Sequence, residues 1–406
     1  TGPRLQDEVI LMQEHEERLP SLFVIPLMQF FVGLFLFIAL LNRQWGLTVL
    51  TLLVLITVKG AKIWSKSSLS GIKCYTVADR MRTFPGETIT LNVRVENSKF
   101  LPIWVRMMVP VHGALHPSGK DASLTKESGL LWYQSVSLMW ELTAQRRGWF
   151  RVGPPNLTAG DLLGLYTKKR KTDDTIHVIV YPRLVPLRDF PIHRRELFGS
   201  PGAKSPVHDP IYLIGTREYQ PWQPARYIHW KASARHNRLE QKVCEPTTQV
   251  KVLIIVEVDQ FASPNMEEDF ERTLEAAASL AVRLDNQGIA LGLVTNGLIS
   301  GGNLSVLPVS RTPQQLSNML EILARLQMKS KDDLLNLLKH GLELPRDLSC
   351  VYFSYEKDDT TVAMTQFFDR FKIPVVSIVC QPSSDPRGND SEIGGKTYSL
   401  DEIYGE

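Results

Sequence analysis

Val250–Ser263 reads VKVLIIVEVDQFAS, and its first ten residues decide the class of the C-terminal fold. A strand with one wetted face alternates apolar and polar residues, whereas a continuous apolar run marks a strand buried on both faces of a sheet. Behind it, helical and strand-like segments alternate. MEEDFERTLEAAASLAVRLDNQG, from Met266, reads as a helix with acids in its first turn and Gly288 at its end. IALGLVTN is a strand, and TPQQLSNMLEILARLQ a helix with Thr312 as N-cap and Pro313 at its first position. KDDLLNLLKHGLEL is a further helix, LSCVYFSY a strand, TTVAMTQFFDRFK a helix and IPVVSIVC a strand. This alternation predicts an α/β domain over 250–406, doubly wound, with a mostly parallel sheet covered by helices on both faces. The stretch after Gln381 reads as loop, with a last short element near YSLDEIY.

Upstream, the texture changes to short strands. TITLNVRVEN alternates strictly, and PIWVRMMVPV, GLLWYQSVSLMWELT and GWFRVG follow, separated by turn signals at Pro85-Gly86, Asn97, Pro117-Ser118-Gly119 and Gly153-Pro154-Pro155. The spacing predicts a β-sandwich over 70–190. Its aromatic residues (Trp104, Trp132, Tyr133, Trp140, Trp149, Phe150) are expected to form the core rather than a stacking platform for bases.

The front of the chain reads as membrane. SLFVIPLMQFFVGLFLFIALL, Ser21–Leu41, carries no charge and is long enough to cross roughly 30 Å of hydrocarbon as a helix. A signal peptide wants a basic start and a small-residue cleavage site, and the preceding DEVILMQEHEER is acidic. After Asn42, Arg43 and Gln44 comes WGLTVLTLLVLITV, with Lys59 and Lys62 placed to snorkel and Trp45 and Trp64 at the two interfaces. A transmembrane hairpin over 21–64 is expected. Lys59, Lys62, Lys66 and Lys73 follow it, Arg18 precedes it, and only Arg43 sits at its tip, so the positive-inside rule predicts both ends in the cytoplasm. Residues 1–20, with Leu5, Val9, Ile10 and Met12 at helical spacing, are expected to form an amphipathic segment packed on the body.

The four cysteines (Cys74, Cys244, Cys350, Cys380) form no CxxC pair, and the nine histidines no HExxH, so neither a zinc site nor any other cofactor is expected. The pattern suits a reducing compartment. A net charge of +3 implies no partner by itself, but Arg146–Lys242 holds eighteen Lys/Arg against eight Asp/Glu. Within it, GTREYQPWQPARYIHWKASAR (Gly215–Arg235) concentrates cations and aromatics. No GxGxxG follows a strand, and neither GxxxxGK[ST] nor GxSxG occurs, so dinucleotide, ATP and serine-hydrolase templates do not fit.

An α/β sheet of this order also resembles the von Willebrand A fold, whose metal site wants Asp-x-Ser-x-Ser after the first strand. Asp259 and Ser263 occupy the outer positions, but Phe261 replaces the middle hydroxyl, so no metal, or a poorly held one, is expected. Gly215–Arg235 itself resembles the signature of a bacterial family of unknown function. Gly215, Arg217, Glu218, Tyr219, Arg226, Ile228, Trp230, Lys231, Ser233, Ala234, Arg235, Leu239 and Lys242 match its pattern, and RRGWFRVGP, GDLLGLY and VYPRLVPL are similar too. Trp222-Gln223 stands where the family carries Gly-Asp. Genes of that family neighbour those of MoxR-type AAA+ ATPases and transglutaminase-like membrane proteins. The resemblance therefore implies a membrane-anchored accessory protein of the bacterial cytoplasmic membrane, working with such an ATPase in envelope assembly, stress response or client maturation.

Together these readings give a multidomain membrane protein: hairpin, β-sandwich, a signature segment over 191–249 joining the domains, and an α/β von Willebrand A-like domain. The first functional reading is a non-catalytic adaptor. Its signature residues (Arg217, Glu218, Tyr219, Arg226, His229, Trp230, Lys231, Ser233, Arg235) would form a seam, with Tyr219, Ile228 and Trp230 packed inside and a partner-facing edge outside. Two alternatives stand beside it. One is binding of anionic lipid or nucleic acid through the basic middle, of which nucleic acid is the less expected. The other is an envelope enzyme with a site around Glu218, Tyr219, His229 and Lys231.

Overall fold

The computed structural model describes residues 24–118, 123–161, 166–190, 208–222, 225–246, 251–302, 305–341, 348–381 and 396–405. The expected N-terminal amphipathic segment lies outside the described residues, as does the loop-like stretch over 382–395. The chain divides into two compact units, Thr1–Pro182 and Arg183–Glu406, so the signature segment belongs to the second.

The first unit opens with two helices, α1 (Val24–Leu41) and α2 (Trp45–Lys66), which touch each other. Among the described residues α2 is the helix long and apolar enough to cross a membrane; the apolar part of α1, Leu27–Leu41, is shorter. Leu50, Leu52, Leu53 and Ile56 of α2 are exposed on the protein surface, which suits a lipid-facing helix better than a core helix. The last carbonyls of any helix lack partners within it. Here Lys99 Nζ donates to Ser67 O and, at 2.5 Å, to Ser68 O, just past the end of α2. Trp64 Nε1 donates to Pro102 O at 2.7 Å.

Eleven strands follow: β1 (Ile72–Ala78), β2 (Arg82–Thr83), β3 (Thr88–Asn97), β4 (Ile103–Met108), β5 (Leu115–Ser118), β6 (Thr125–Leu130), β7 (Ser135–Ala144), β8 (Gly148–Val152), β9 (Asn156–Gly160), β10 (Thr167–Lys171) and β11 (Ile176–Val180). They form sheets in the orders β1-β3-β7-β5, β10-β9-β4-β6 and β2-β11-β8. In β3 the inward residues Ile89, Leu91, Val93 and Val95 alternate with wetter ones, as its sequence predicts. Val105 and Met107 from β4, Trp140 from β7 and Leu157 from β9 meet them in one apolar core. The aromatic expectation needs correction. Trp140 and Phe150 are buried and Trp104 and Trp149 half-buried, but Trp132 and Tyr133 are exposed. The run GLLWYQSVSLMWELT is not one strand: it turns between β6 and β7, where Gln134 N donates to Leu131 O and Tyr133 has φ of 54°.

The second unit begins with an antiparallel pair, β12 (His208–Glu218) and β13 (Glu240–Pro246), bracketing the short helix α3 (Trp230–His236). The α/β part runs β14 (Lys251–Val256), α4 (Glu267–Asn286), β15 (Ala290–Thr295), β16 (Gly297–Ile299), β17 (Val306–Ser310), α5 (Gln315–Arg325), β18 (Leu326–Ser330), α6 (Leu334–Gly341), β19 (Leu348–Ser354), α7 (Asp359–Arg370), β20 (Val375–Val379), β21 (Thr397–Ser399) and α8 (Leu400–Ile403). Its sheet has the order β17-β15-β14-β19-β20-β21, parallel except for the edge strand β17. Leu253 and Ile255 of β14 cluster with Leu334 and Leu338 of α6 and Met364 and Phe368 of α7. Val252, Ile254 and Val256 point the other way, to the face where α4 lies against β14 and β15 and touches α5. Helices therefore cover both faces, as the apolar run of β14 requires.

Both ends of α5 differ from the sequence pattern. Helix α5 starts at Gln315, not after Thr312, because the buried Gln315 side chain is held by Leu291 O and Pro308 O at 2.7 and 2.8 Å. It also stops at Arg325, since Leu326–Ser330 leaves to pair with β16.

Candidate functional site

The signature residues sit on the β12–α3–β13 excursion. The ladder pairs Arg217 with Gln241 and Glu218 with Glu240, and Tyr219 N donates to Leu239 O, closing the excursion at its base. His229 caps α3: its Nδ1 accepts from Ala232 N at 3.0 Å, while its own N–H reaches Glu240 O at 2.7 Å. Asn237 ends the helix in the left-handed conformation with φ of 52°. Ser233 is buried; its hydroxyl donates to His229 O and accepts from Glu240 N at 2.8 Å, tying helix to strand. Glu240 is buried opposite Glu218, a like-charge pairing. The Arg238 guanidinium, 2.8 Å away, offsets it and holds the Glu240 carboxyl below its usual range.

Its outer surface is different. Arg217 is exposed, with Nε 3.5 Å from Gln241 Oε1, and Glu218, Lys231 and Arg235 are exposed too. Tyr219 is half-buried and Ile228 buried. Trp230, expected inside, is 70% exposed, and Trp222 is 79% exposed. Trp230 is the first residue of α3, beside the inward Ile228 and the capping His229, so its ring projects from the excursion. The Arg226 side chain and Gln223 lie outside the described residues.

A second cluster lies where β14 and β19 end, the point at which the strand order reverses and where open α/β sheets usually place their ligands. Asp259 is exposed and accepts from Asn296 Nδ2 at 2.5 Å; the buried Asn296 uses its Oδ1 to accept from Val258 N. Ser263 is exposed. Phe261, between them, is fully buried against Phe270 and Tyr355, with ring centroids 5.3 and 5.5 Å away. The loop is thus anchored by aromatic packing. Among the described residues, no group of three His, Cys, Asp or Glu side chains is placed to hold a metal ion.

The sequence reading missed Glu257, although a lone acid inside an apolar run was its signal. Glu257 is 2% exposed. Tyr352 OH donates to its Oε2, and Thr360 Oγ1 lies 3.1 Å from Oε1 and 2.5 Å from Asp358 Oδ1. Asp358 is the N-cap of α7, accepting from Thr361 N at 2.9 Å. Burial pushes the Glu257 carboxyl up to about 7, against the pull of the Tyr352 hydroxyl and with help from the Asp358 and Asp259 charges. The described thiols are also pushed up by burial, Cys74 and Cys380 to about 11, the opposite of an activated nucleophile.

Residues 215–344, from the signature excursion into the α/β sheet, match the profile of a family described as "Protein of unknown function DUF58". The chain is 25% identical over 232 residues to "Uncharacterized protein YeaD" of Bacillus subtilis (strain 168), covering 56% of this chain and 55% of that protein. It thus spans about half the length of that curated relative. The similarity is to bacterial sequences of unknown function. Among solved structures, a FixG-related protein from Vibrio parahaemolyticus aligns over 28% of this chain and 98% of its own, at 13% identity and a TM-score of 0.20. The cupredoxin domain of amoB from Nitrosocaldus yellowstonii aligns over 28% and 88%, at 7% identity and a TM-score of 0.21. At these scores neither carries a conclusion about this chain.

Two outcomes follow for the sheet end. A raised folded-state pKa means that Glu257 contributes most to stability below the pKa of an unfolded carboxyl, and that this contribution is lost as pH rises through about 7. Glu257→Gln should remove that decline, gaining on the order of 1–3 kcal/mol at pH 8 over wild type and nothing near pH 4.5; urea unfolding of the detergent-solubilised chain across this range checks it, and parallel pH profiles would refute it. Phe261→Ser restores the hydroxyl of the metal pattern but empties a packed site, and should cost roughly 3–5 kcal/mol in the same assay.

Proposed function

We propose that this protein is a non-catalytic adaptor, anchored in the bacterial cytoplasmic membrane by α1 and α2 as a two-span hairpin, with both soluble units in the cytoplasm. Its signature excursion docks a protein partner. The observation that carries the reading is the division of labour within that excursion. His229, Ser233, Glu240 and its partner Arg238 are spent on its internal framework, while Trp222, Trp230, Lys231 and Arg235 project from it. Exposed tryptophans among cations are the composition of protein-binding hot spots, and a monomer has no internal use for them. The sheet order β17-β15-β14-β19-β20-β21, with an antiparallel edge strand, supports reading the α/β part as von Willebrand A-like, a fold that serves protein contacts. The resemblance of the signature supplies the partner class: a MoxR-type AAA+ ATPase, with a transglutaminase-like membrane protein as a further member of the assembly. Acting as a docking platform in envelope assembly, stress response or client maturation requires no chemistry at Glu218, Tyr219, His229 or Lys231.

A second reading, contact of the basic middle with anionic head groups, is supported by β10. Lys168, Lys169, Arg170 and Lys171 are exposed in a row on this edge strand.

Affinity purification of the full chain from native membranes in mild detergent tests the adaptor. The ATPase should be recovered with wild type, and Trp230→Ser or Arg235→Glu should lower recovery about tenfold, the loss of one hot-spot contact. Equal recovery with both variants would reject the excursion as the docking site, and no ATPase with wild type would reject the adaptor.

A further inference from the structure

Two loops of the first unit expose aromatic side chains beside the end of α2. Phe100 lies in the β3–β4 loop and is 71% exposed; Trp132 and Tyr133 lie in the β6–β7 turn and are 53% and 70% exposed. The Phe100 and Trp132 rings stack, with centroids 5.6 Å apart and planes 17° from parallel. Leu131 beside them is exposed as well.

These loops are held in place. Asn97 Nδ2 bridges them, reaching Leu101 O and Leu131 O at 2.9 Å each, and Tyr133 N donates to Lys99 O at 3.2 Å. The β3–β4 loop is fixed in turn to the helix end. Lys99 reaches Ser67 O and Ser68 O, Pro102 O accepts from Trp64 Nε1, and Ser98 N donates to Gly71 O at 3.0 Å. Phe100 is one residue from Lys99 and two from Pro102, so its Cα lies within roughly 8 Å of residues that touch the end of α2. Tyr133 holds a left-handed backbone that a bulky residue adopts only when its surroundings impose it. A rigid aromatic cluster is therefore presented at the height of the last turn of α2.

We propose that Phe100, Trp132 and Tyr133 form a membrane-interface anchor, seated at the head-group level of the bilayer that α2 crosses, so that the β unit lies against the membrane. This rests on the reading of α2 as a membrane helix. The loop that carries Phe100 is tied to that helix through Trp64, itself an interfacial residue type, and the neighbouring Ile63 is exposed. Its charge surroundings fit a lipid surface. Lys59, Lys62 and Lys66 are exposed on the final turns of α2, and Lys168 of β10 reaches Lys66 O at 3.1 Å, so cations gather at the same helix end to which the cluster's loop is tied. Aromatic rings with a polar edge prefer this boundary to either water or hydrocarbon.

The test uses the full chain reconstituted into vesicles of phosphatidylcholine and phosphatidylglycerol, with acyl chains brominated near the head group as the quencher. The emission removed by Trp132→Phe is compared with that removed by Trp45→Phe, which reports α2 itself. Because Trp132 is exposed, its replacement by phenylalanine leaves the core intact. The anchor predicts that the Trp132 component is quenched at least as strongly as the Trp45 component. A Trp132 component that brominated lipid leaves unquenched, beside a quenched Trp45 component, overturns the anchor, leaves α2 in the membrane, and makes the cluster a surface for water or protein. If neither component is quenched, the membrane reading of α2 falls and the anchor falls with it.

Discussion

A strand buried on both faces must pair every backbone N–H and C=O along its length, because no water reaches it. β14 does so by lying between two parallel neighbours, β15 and β19, residue for residue from Lys251 to Val256. That constraint organises the second unit. The β14–α4–β15 connection moves to one side of β14 and the later β19 returns to the other, so the strand order reverses there. The reversal leaves a crevice at the carboxyl ends of β14 and β19. Glu257 caps the central strand at that spot and links it through hydroxyls to Tyr352 on β19 and Thr360 on α7. A carboxyl so placed reports on three elements at once, and its protonation is coupled to how closely they pack.

The first unit depends on a different joint. The end of a helix such as α2 carries carbonyls with no partner in the helix, and a cation there also meets the favourable end of the helix dipole. Lys99 supplies both from the β unit. With Trp64 donating in the other direction, to Pro102 O, donors and acceptors cross the joint both ways. A flexible tether would not do this. The orientation of the β unit relative to α2 is set by side chains, and the aromatic loops inherit their position from it.

How much of this was legible in the sequence follows from the physics of each signal. The period of β3 and the unbroken run of β14 were readable because burial dictates them residue by residue. Trp132 and Tyr133 were misread as core because aromatic residues raise the apparent strand character of a segment, while the turn holding them contains no glycine or proline to announce it. The start of α5 was missed because the Gln315 side chain, bonded to the carbonyls of Leu291 and Pro308, fixes it; no local cap marks the spot. In the signature, the resemblance named a set of residues without separating framework from surface. His229 and Ser233 are framework, and only the ladder pairing brings Glu240 to them. Glu257 stood in plain view as an acid within VLIIVEV, but its partners come from residues far along the chain.

Two of the sites with exposed aromatics, the loops beside α2 and the signature excursion, show that the same residue types need not mean the same partner. What separates them is the backbone to which each is fixed. Phe100, Trp132 and Tyr133 are bound through hydrogen bonds to the end of an apolar helix, so any bilayer that accepts α2 brings its interface to them at no further cost in reach. Trp222 and Trp230 belong to a β-ladder excursion in the other unit, whose framework is closed by His229, Ser233 and Glu240 and whose helix α3 carries the exposed Lys231 and Arg235 together with Trp230. Lipid asks that rings be held at the right depth, which the hydrogen bonds to the end of α2 secure, whereas a protein partner asks for fixed positions side chain by side chain. The capping and bridging of α3 hold its exposed side chains in fixed positions, which is what the proposed protein partner would require.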